Sequence, residues 1–177
     1  MSNRLKTVKT HYIVFPSPLG LIGVAATPAG LCCIKIKISG EPAFRNYLQK
    51  KYRQIPENNK ALLKNIESQI NLYFTGKLRR LSCPLDLSQG TPFQKKVWRK
   101  LISIPFGATH NYEWLAIAIG NAKACRAVGN AIGQNPLPII IPCHRIVRKC
   151  GELGGYSGGV HIKRFLLDLE KKSHGTV

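Results

Sequence analysis

Apolar and polar positions alternate in short runs near the start of the chain, and the period lengthens further on. His11–Phe15, Leu21–Ala26 and Leu31–Ile38 read as three strands. They are separated by turns at Ser17-Pro18-Leu19-Gly20 and Pro28-Ala29-Gly30. In the third, Ile34, Ile36 and Ile38 alternate with Lys35 and Lys37, the pattern of a half-buried strand. A helical period follows. Glu41–Tyr52 places Phe44, Leu48 and Tyr52 on one face, and Lys60–Phe74 does the same with Leu62, Ile66, Ile70 and Phe74 before Gly76. Lys77–Gly90 has a charged start and a turn-rich end, and reads as a linker.

Beyond the linker the pattern is mainly helical. Thr91-Pro92-Phe93-Gln94 is a helix start, with Thr91 as N-cap, Pro92 at the first helical position and Gln94 closing a capping box. Phe93, Val97 and Leu101 form the stripe of that helix, which ends before Pro105 and Gly107. Tyr112–Ile119 is a short helix stopped by Gly120, and Asn121 is expected to cap another through about Gly133. Two helices joined by a tight Gly-Asn corner suggest a helix-turn-helix. The second is rich in small residues, Ala122, Cys125, Gly129 and Gly133, which suit either close approach to a flat partner such as DNA or close helix packing. A glycine-rich loop, Gly154 to Gly159, precedes a last helix carrying Ile162, Phe165, Leu166 and Leu169. Together these elements predict an α+β chain of two domains, 1–86 and 91–177.

Charge adds a partner to this outline. There are 27 Lys and Arg against 8 Asp and Glu, a formal +19, which favours a polyanion and points to nucleic acid. The excess is spread out: residues 1–86 carry 14 basic and 4 acidic side chains, residues 87–177 carry 13 and 4. Apolar runs are too short for a membrane span, and the stretch after the basic start, Met1 to Lys9, is broken by Pro16, Pro18 and Gly20, poor for a secretory leader. The expectation is a cytoplasmic protein, nuclear in a eukaryote, with its six cysteines reduced. A zinc site from His11, Cys32, Cys33 and Cys83 lacks recognisable spacing, so no metal is expected.

Candidate chemistry gathers at Ile139–Val147, where three isoleucines and Pro142 lead into Cys143, His144 and Arg145. A thiol attacks as thiolate, and an unperturbed pKa of about 8.5 leaves little thiolate at neutral pH. His144 is the available base and Arg145 an available charge, while Glu170, on the apolar side of the last helix, is placed to orient an imidazole. Neighbours in sequence do not normally face each other, so a water would relay the proton between Cys143 and His144. Pro142 disfavours helix at Ile141, which predicts a turn at Cys143 after an extended segment.

Ile141-Pro142-Cys143-His144-Arg145 resembles the active-site motif of the O6-alkylguanine-DNA alkyltransferases, the methylated-DNA–protein-cysteine methyltransferases. The resemblance extends from about Thr91 to Glu170 through Phe93-Gln94, Val97-Trp98, Pro105-Phe106-Gly107, Tyr112, Gly120-Asn121, Arg126-Ala127-Val128-Gly129, Asn135-Pro136, Gly154-Gly155-Tyr156, Gly158-Gly159 and Lys163. It implies a small ribonuclease-H-like antiparallel-sheet domain followed by a mainly helical domain with a winged-helix-like helix-turn-helix. It also implies irreversible, stoichiometric transfer of an alkyl group from O6-alkylguanine in duplex DNA onto Cys143, without cofactor, by a monomer in the minor groove. His144 would take the thiol proton through water, Glu170 would hold His144, Asn135 would join that network, and Tyr112 would protonate the leaving guanine. Tyr156, Ser157 and Ile146 would line the base pocket. Arg126 would fill the gap left by the flipped base, on a DNA-facing helix with Ala124, Cys125, Ala127 and Gly129. Cys125, and Asn111 and His110 before Tyr112, depart from the family pattern. A cysteine hydrolase built on Cys143, His144 and Glu170 would leave the helix-turn-helix and the charge unexplained. A non-catalytic lesion binder would not need the cysteine.

Overall fold

The computed structural model describes residues 9–173; all of the basic start but Lys9 lies outside them. The chain divides into two compact units. Residues up to Asn71, with Ser82–Asp86, make the first; Leu72–Leu81 and the residues from Leu87 onward make the second.

The first unit is built on the strands β1 (His11–Ser17), β2 (Gly20–Thr27) and β3 (Gly30–Ile36). β1 and β2 are an antiparallel hairpin in register from His11 opposite Ala26 to Ser17 opposite Gly20. β2 pairs antiparallel with β3, with an irregularity at Ala25/Ala26. A two-residue strand, β4 (Glu57–Asn58), adds parallel to β1, giving the order β3-β2-β1-β4. Nothing in its polar sequence announced it; it is held by backbone bonds from Glu57 to Thr10 and Asn59 to Tyr12. Consecutive residues Val24, Ala25, Ala26 and Leu31 to Ile34 are all buried, so both sheet faces are covered there, and the half-buried alternation applies only to the end of β3. Helix α1 (Glu41–Tyr52) lays Phe44 and Leu48 on the sheet beside Tyr12, Ala25, Cys32 and Cys33. It approaches so closely that a Cβ at Gly23 would come within 2.6 Å of the Phe44 ring. Gly30, at φ +136°, lets the 82–86 segment pass: Leu31 N–H donates to Pro84 O, and Asp86 N–H to Leu31 O. Among the described residues, His11, Cys32, Cys33 and Cys83 form no cluster of three potential metal ligands.

Helix α2 (Lys60–Phe74) spans the predicted residues, but its buried face differs. Leu63, Ile66, Ile70, Tyr73 and Phe74 are buried, and Leu62 is 58% exposed. A four-residue step drifts around a 3.6-residue helix, and Leu63 takes the place expected of Leu62. The last turn, from Leu72, belongs to the second unit.

In the second unit α3 (Pro92–Ile102) begins with the expected capping box: Thr91 Oγ1 accepts from Gln94 N–H at 3.2 Å, and Thr91 N–H donates to Gln94 Oε1 at 2.8 Å. Val97, Trp98 and Leu101 are its buried residues, with Phe93 at the margin. A short strand β5 (His110–Asn111) leads into α4 (Tyr112–Ala118). Asn111 caps α4 by accepting from Trp114 N–H at 2.7 Å, which accounts for an amide side chain there. Asn121, expected to cap the next helix, makes no side-chain cap bond. That helix opens as a single 3-10 turn at Ala122–Ala124 and continues as α5 (Cys125–Gly133). Trp98 Nε1 donates to Ala131 O at 2.8 Å and ties α3 to α5. The unit ends in α6 (Val160–Lys172), whose buried residues include Lys163 and Leu167 as well as Ile162, Leu166 and Glu170. Among the described residues no helix is long and apolar enough to cross a membrane.

Candidate active site

The run Ile139-Ile140-Ile141 is not extended, contrary to expectation. Ile141 N–H donates to Leu137 O at 2.8 Å, which closes a turn with Ile139 at φ +76°. That conformation is strained for a β-branched residue by about 1–3 kcal/mol, and Ile139 is held in it by full burial. Pro142, at φ −80° and ψ 64°, is the centre of an inverse γ-turn, with Cys143 N–H donating to Ile141 O at 2.7 Å. Cys143–Arg145 then form one 3-10 turn, and Ile146–Val147 (β6) pair parallel with β5. Two turns in succession therefore deliver Cys143 to its place.

Asn135 clamps this arrangement. Its Nδ2 donates to Ile141 O at 2.8 Å and to Cys143 Sγ at 3.0 Å, while its Oδ1 accepts from Leu137 N–H at 3.0 Å. Burial pushes the Cys143 thiol up; the Asn135 hydrogen bond, Tyr156 and the Lys163 charge oppose this. Arg145 is thus not the charge beside the thiol. Its guanidinium is occupied elsewhere, and the cation that favours the thiolate is Lys163. Lys163 is almost fully buried, and its Nζ donates to Ile146 O at 2.5 Å and to Leu153 O. Burial lowers it to about 8.

His144 and Glu170 are both fully buried and meet at 2.8 Å, Nε2 to Oε1. A carboxylate accepts only, so Nε2 carries the hydrogen and Nδ1 carries the lone pair. Nδ1 is buried and makes no hydrogen bond to the protein. Burial lowers the pKa of His144, Glu170 raises it, and the charges of Arg145 and Lys163 lower it further, for a net downward shift. Burial alone would raise the Glu170 carboxyl, but hydrogen bonds and charge from His144 and Arg145 hold it well below the usual carboxylate range. Arg145 Nε reaches Oε2 at 3.0 Å, and Nη2 reaches Oε1 at 2.9 Å. Gly107 N–H donates to Oε2 at 2.9 Å. Arg145 Nη1 donates to Ile104 O at 2.6 Å, and the guanidinium lies 5.8 Å from the Phe106 ring centroid. The result is a buried thiol with a hydrogen-bond donor on its sulfur, beside a neutral imidazole oriented by an ionised carboxylate.

Two family profiles match the chain. The 6-O-methylguanine DNA methyltransferase ribonuclease-like domain covers residues 10–87, and the DNA-binding domain of the same family covers 92–172. This chain belongs to the 6-O-methylguanine DNA methyltransferase family. A methylated-DNA–protein-cysteine methyltransferase of Methanosarcina barkeri is 39% identical over 167 residues, 92% of this chain and 98% of that one. One from Mycobacterium tuberculosis is 38% identical over 162 residues, 91% and 92% of the two chains. Among solved structures, Mycobacterium tuberculosis OGT in complex with DNA superposes with a TM-score of 0.80 at 37% identity, covering 92% of this chain and 94% of that one. The Pyrococcus kodakaraensis O6-methylguanine-DNA methyltransferase gives 0.64 at 27%, covering 91% and 98%.

In this member of the methyltransferase family Tyr112 and Tyr156 interact with the thiol, and other expected residues lie along one helix. Tyr112 opens α4, half-buried; burial raises its phenol, against the Arg148 charge. Its ring lies 3.8 Å from where a Cβ on Gly129 would stand, an ordinary van der Waals distance, so α5 packs against Tyr112 at Gly129 without needing a glycine there. The buried Tyr156 hydroxyl makes no well-formed hydrogen bond; burial and then Cys143 push it well above its ordinary value. Ile146 is buried and presents its carbonyl to Lys163, while Ser157 is exposed. On α5 and the turn before it, Arg126 and Ala127 are exposed, and Ala124, Cys125 and Gly129 are half-exposed. His110 stacks on Trp114 with ring centroids 3.6 Å apart. Sequence reasoning gave no role to Tyr73, whose hydroxyl donates to Glu170 Oε1 at 2.7 Å, and missed the part Lys163 plays. A buried lysine on an apolar helix face was the available signal for Lys163. Tyr73 read as one more core aromatic.

Proposed function

We propose that this chain repairs DNA by direct reversal, taking the alkyl group of an O6-alkylguanine irreversibly onto Cys143. The observation that carries the reading is the join of Asn135 Nδ2 to Cys143 Sγ at 3.0 Å beside the His144–Glu170 pair, whose Nδ1 is left free to accept a proton. The Cys143 proton passes through a water to Nδ1, and the positive charge that develops on the imidazole is met by Glu170. Sulfur attacks the alkyl carbon, the carbon–O6 bond breaks, and its electron pair stays with guanine as Tyr112 supplies a proton. The thioether has no leaving group that water displaces, so each molecule reacts once.

DNA is the partner, engaged from the minor groove by α5 as the second helix of a helix-turn-helix. Arg126 enters the stack as the base leaves, and Tyr156, Ser157 and Ile146 line the pocket that receives it. Our division into domains 1–86 and 91–177 is supported by the family profiles over 10–87 and 92–172, with residues 72–81 making their contacts in the second unit. The protein works as a monomer in the compartment that holds the DNA, the cytoplasm or a nucleus. The test is mass spectrometry after mixing with a duplex bearing one O6-methylguanine. One methyl on the Cys143 peptide, saturating at one equivalent, is expected. Binding of the duplex with no mass gain would reduce the protein to lesion recognition.

A further inference from the structure

Glu170 has more hydrogen-bond donors than a triad carboxylate requires. Oε1 alone accepts from His144 Nε2 at 2.8 Å, Arg145 Nη2 at 2.9 Å, Arg145 Nε at 3.2 Å and the Tyr73 hydroxyl at 2.7 Å, the shortest of the four. Tyr73 is 0% exposed, and its oxygen lies 3.4 Å from His144 Nε2. Its ring is set edge-on by Phe74 at 5.7 Å and Phe106 at 5.9 Å. Phenylalanine would satisfy that packing, so the hydroxyl serves something other than the core. Burial and then the Glu170 charge raise its phenol well above the ordinary value, so it remains a donor at every working pH.

We infer that Tyr73 is a positioning residue for alkyl transfer: its hydroxyl shares Glu170 Oε1 with His144 Nε2 and draws charge from that oxygen, keeping the imidazole a neutral base in a single tautomer. A carboxylate oxygen that also binds a phenol offers less to an imidazolium. The other charged or titratable groups around His144 are Glu170 and Lys163 on α6, and Cys143 and Arg145 on its own turn. Arg145 and Lys163 also oppose a charged imidazole, and Tyr73 adds to their effect from α2. The inference rests on His144 being the base for Cys143.

The experiment is Tyr73→Phe in the full chain, read in two ways. Titration of the His144 ring nitrogens by long-range proton–nitrogen NMR should move its midpoint upward. The acid limb of single-turnover methyl transfer should move with it. Below both midpoints the rate should fall about tenfold for each pH unit by which the midpoint rises, while rates at pH 8 stay close to the parent. A midpoint unchanged or lowered in a folded variant overturns the inference. So does a raised midpoint with an unmoved acid limb, and that result also removes His144 as the base. The site of methylation, read by mass on the same samples, tests Cys143 separately. Site-specific 3-fluorotyrosine at position 73 keeps the hydroxyl, strengthens it as a donor, and should move both readings downward even if Tyr73→Phe does not fold; an upward or absent movement there is equally fatal.

Discussion

Cys143 sulfur receives a hydrogen bond from Asn135 and lies in a shell that burial makes unfavourable to a thiolate. Truncation separates recognition from chemistry at this residue. Cys143→Ala should abolish transfer and leave affinity for a lesion-bearing duplex within a few-fold, measured by fluorescence anisotropy; transfer persisting in the variant would place the acceptor elsewhere. Glu170 ties the site to stability. Its folded pKa lies below the unfolded value of about 4.3, and that of His144 lies below about 6.5. In both cases the unfolded chain binds more protons as the pH falls, so stability should rise with pH from the acid side to about 6.5. Urea unfolding at pH 4, 5.5 and 7 reads this. Glu170→Gln should flatten the rise and cost about 3–5 kcal/mol at pH 7, because Arg145 is left buried without its counter-charge. The thiol, the imidazole and the carboxylate were legible because each is chemically rare in its setting. The direction of Arg145 was not, since a guanidinium beside a cysteine in sequence turns on the tight 3-10 geometry toward α6.

Elements with a local signal read well from the chain. The spans of α1 and α2 follow from their own periodicity, although that of α2 put Leu62 in place of Leu63 on the buried face, and the Thr91 capping box is a four-residue device. Thr91→Ala should lower stability by about 1 kcal/mol with no change in transfer rate, by thermal denaturation and single-turnover assay. Elements set by distant partners did not show. β4 exists because β1 leaves an edge beside it, and Ile139–Ile141 fold back because Leu137 and Asn135 hold them. The exposed Arg126 of α5 gives a prediction of its own. Arg126→Ala should slow repair of duplex far more than reaction with free O6-benzylguanine; equal losses would end its role in base extrusion.

Over the whole molecule the +19 charge is shared almost evenly between the two halves of the sequence, so no single stretch advertises a binding face. Affinity for duplex should fall linearly with salt on a double-logarithmic plot, with a slope near −0.9 for each phosphate neutralised. A flat response in filter binding from 50 to 200 mM would mean that contacts other than ionic ones dominate.

The chain passes between its two compact units at residues 71/72, 81/82 and 86/87, before the stretch at 87–91 where the family profiles meet. Genetic exchange at that stretch looks clean, yet it would carry Tyr73 with the N-terminal parent while Glu170 and His144 came from the other. Chimeras of two relatives would then inherit the Tyr73 donor of the buried carboxylate from one lineage and the His144, Arg145 and Gly107 donors from the other, and a replaced front half would bring its own version of residue 73 into a centre assembled by the back half.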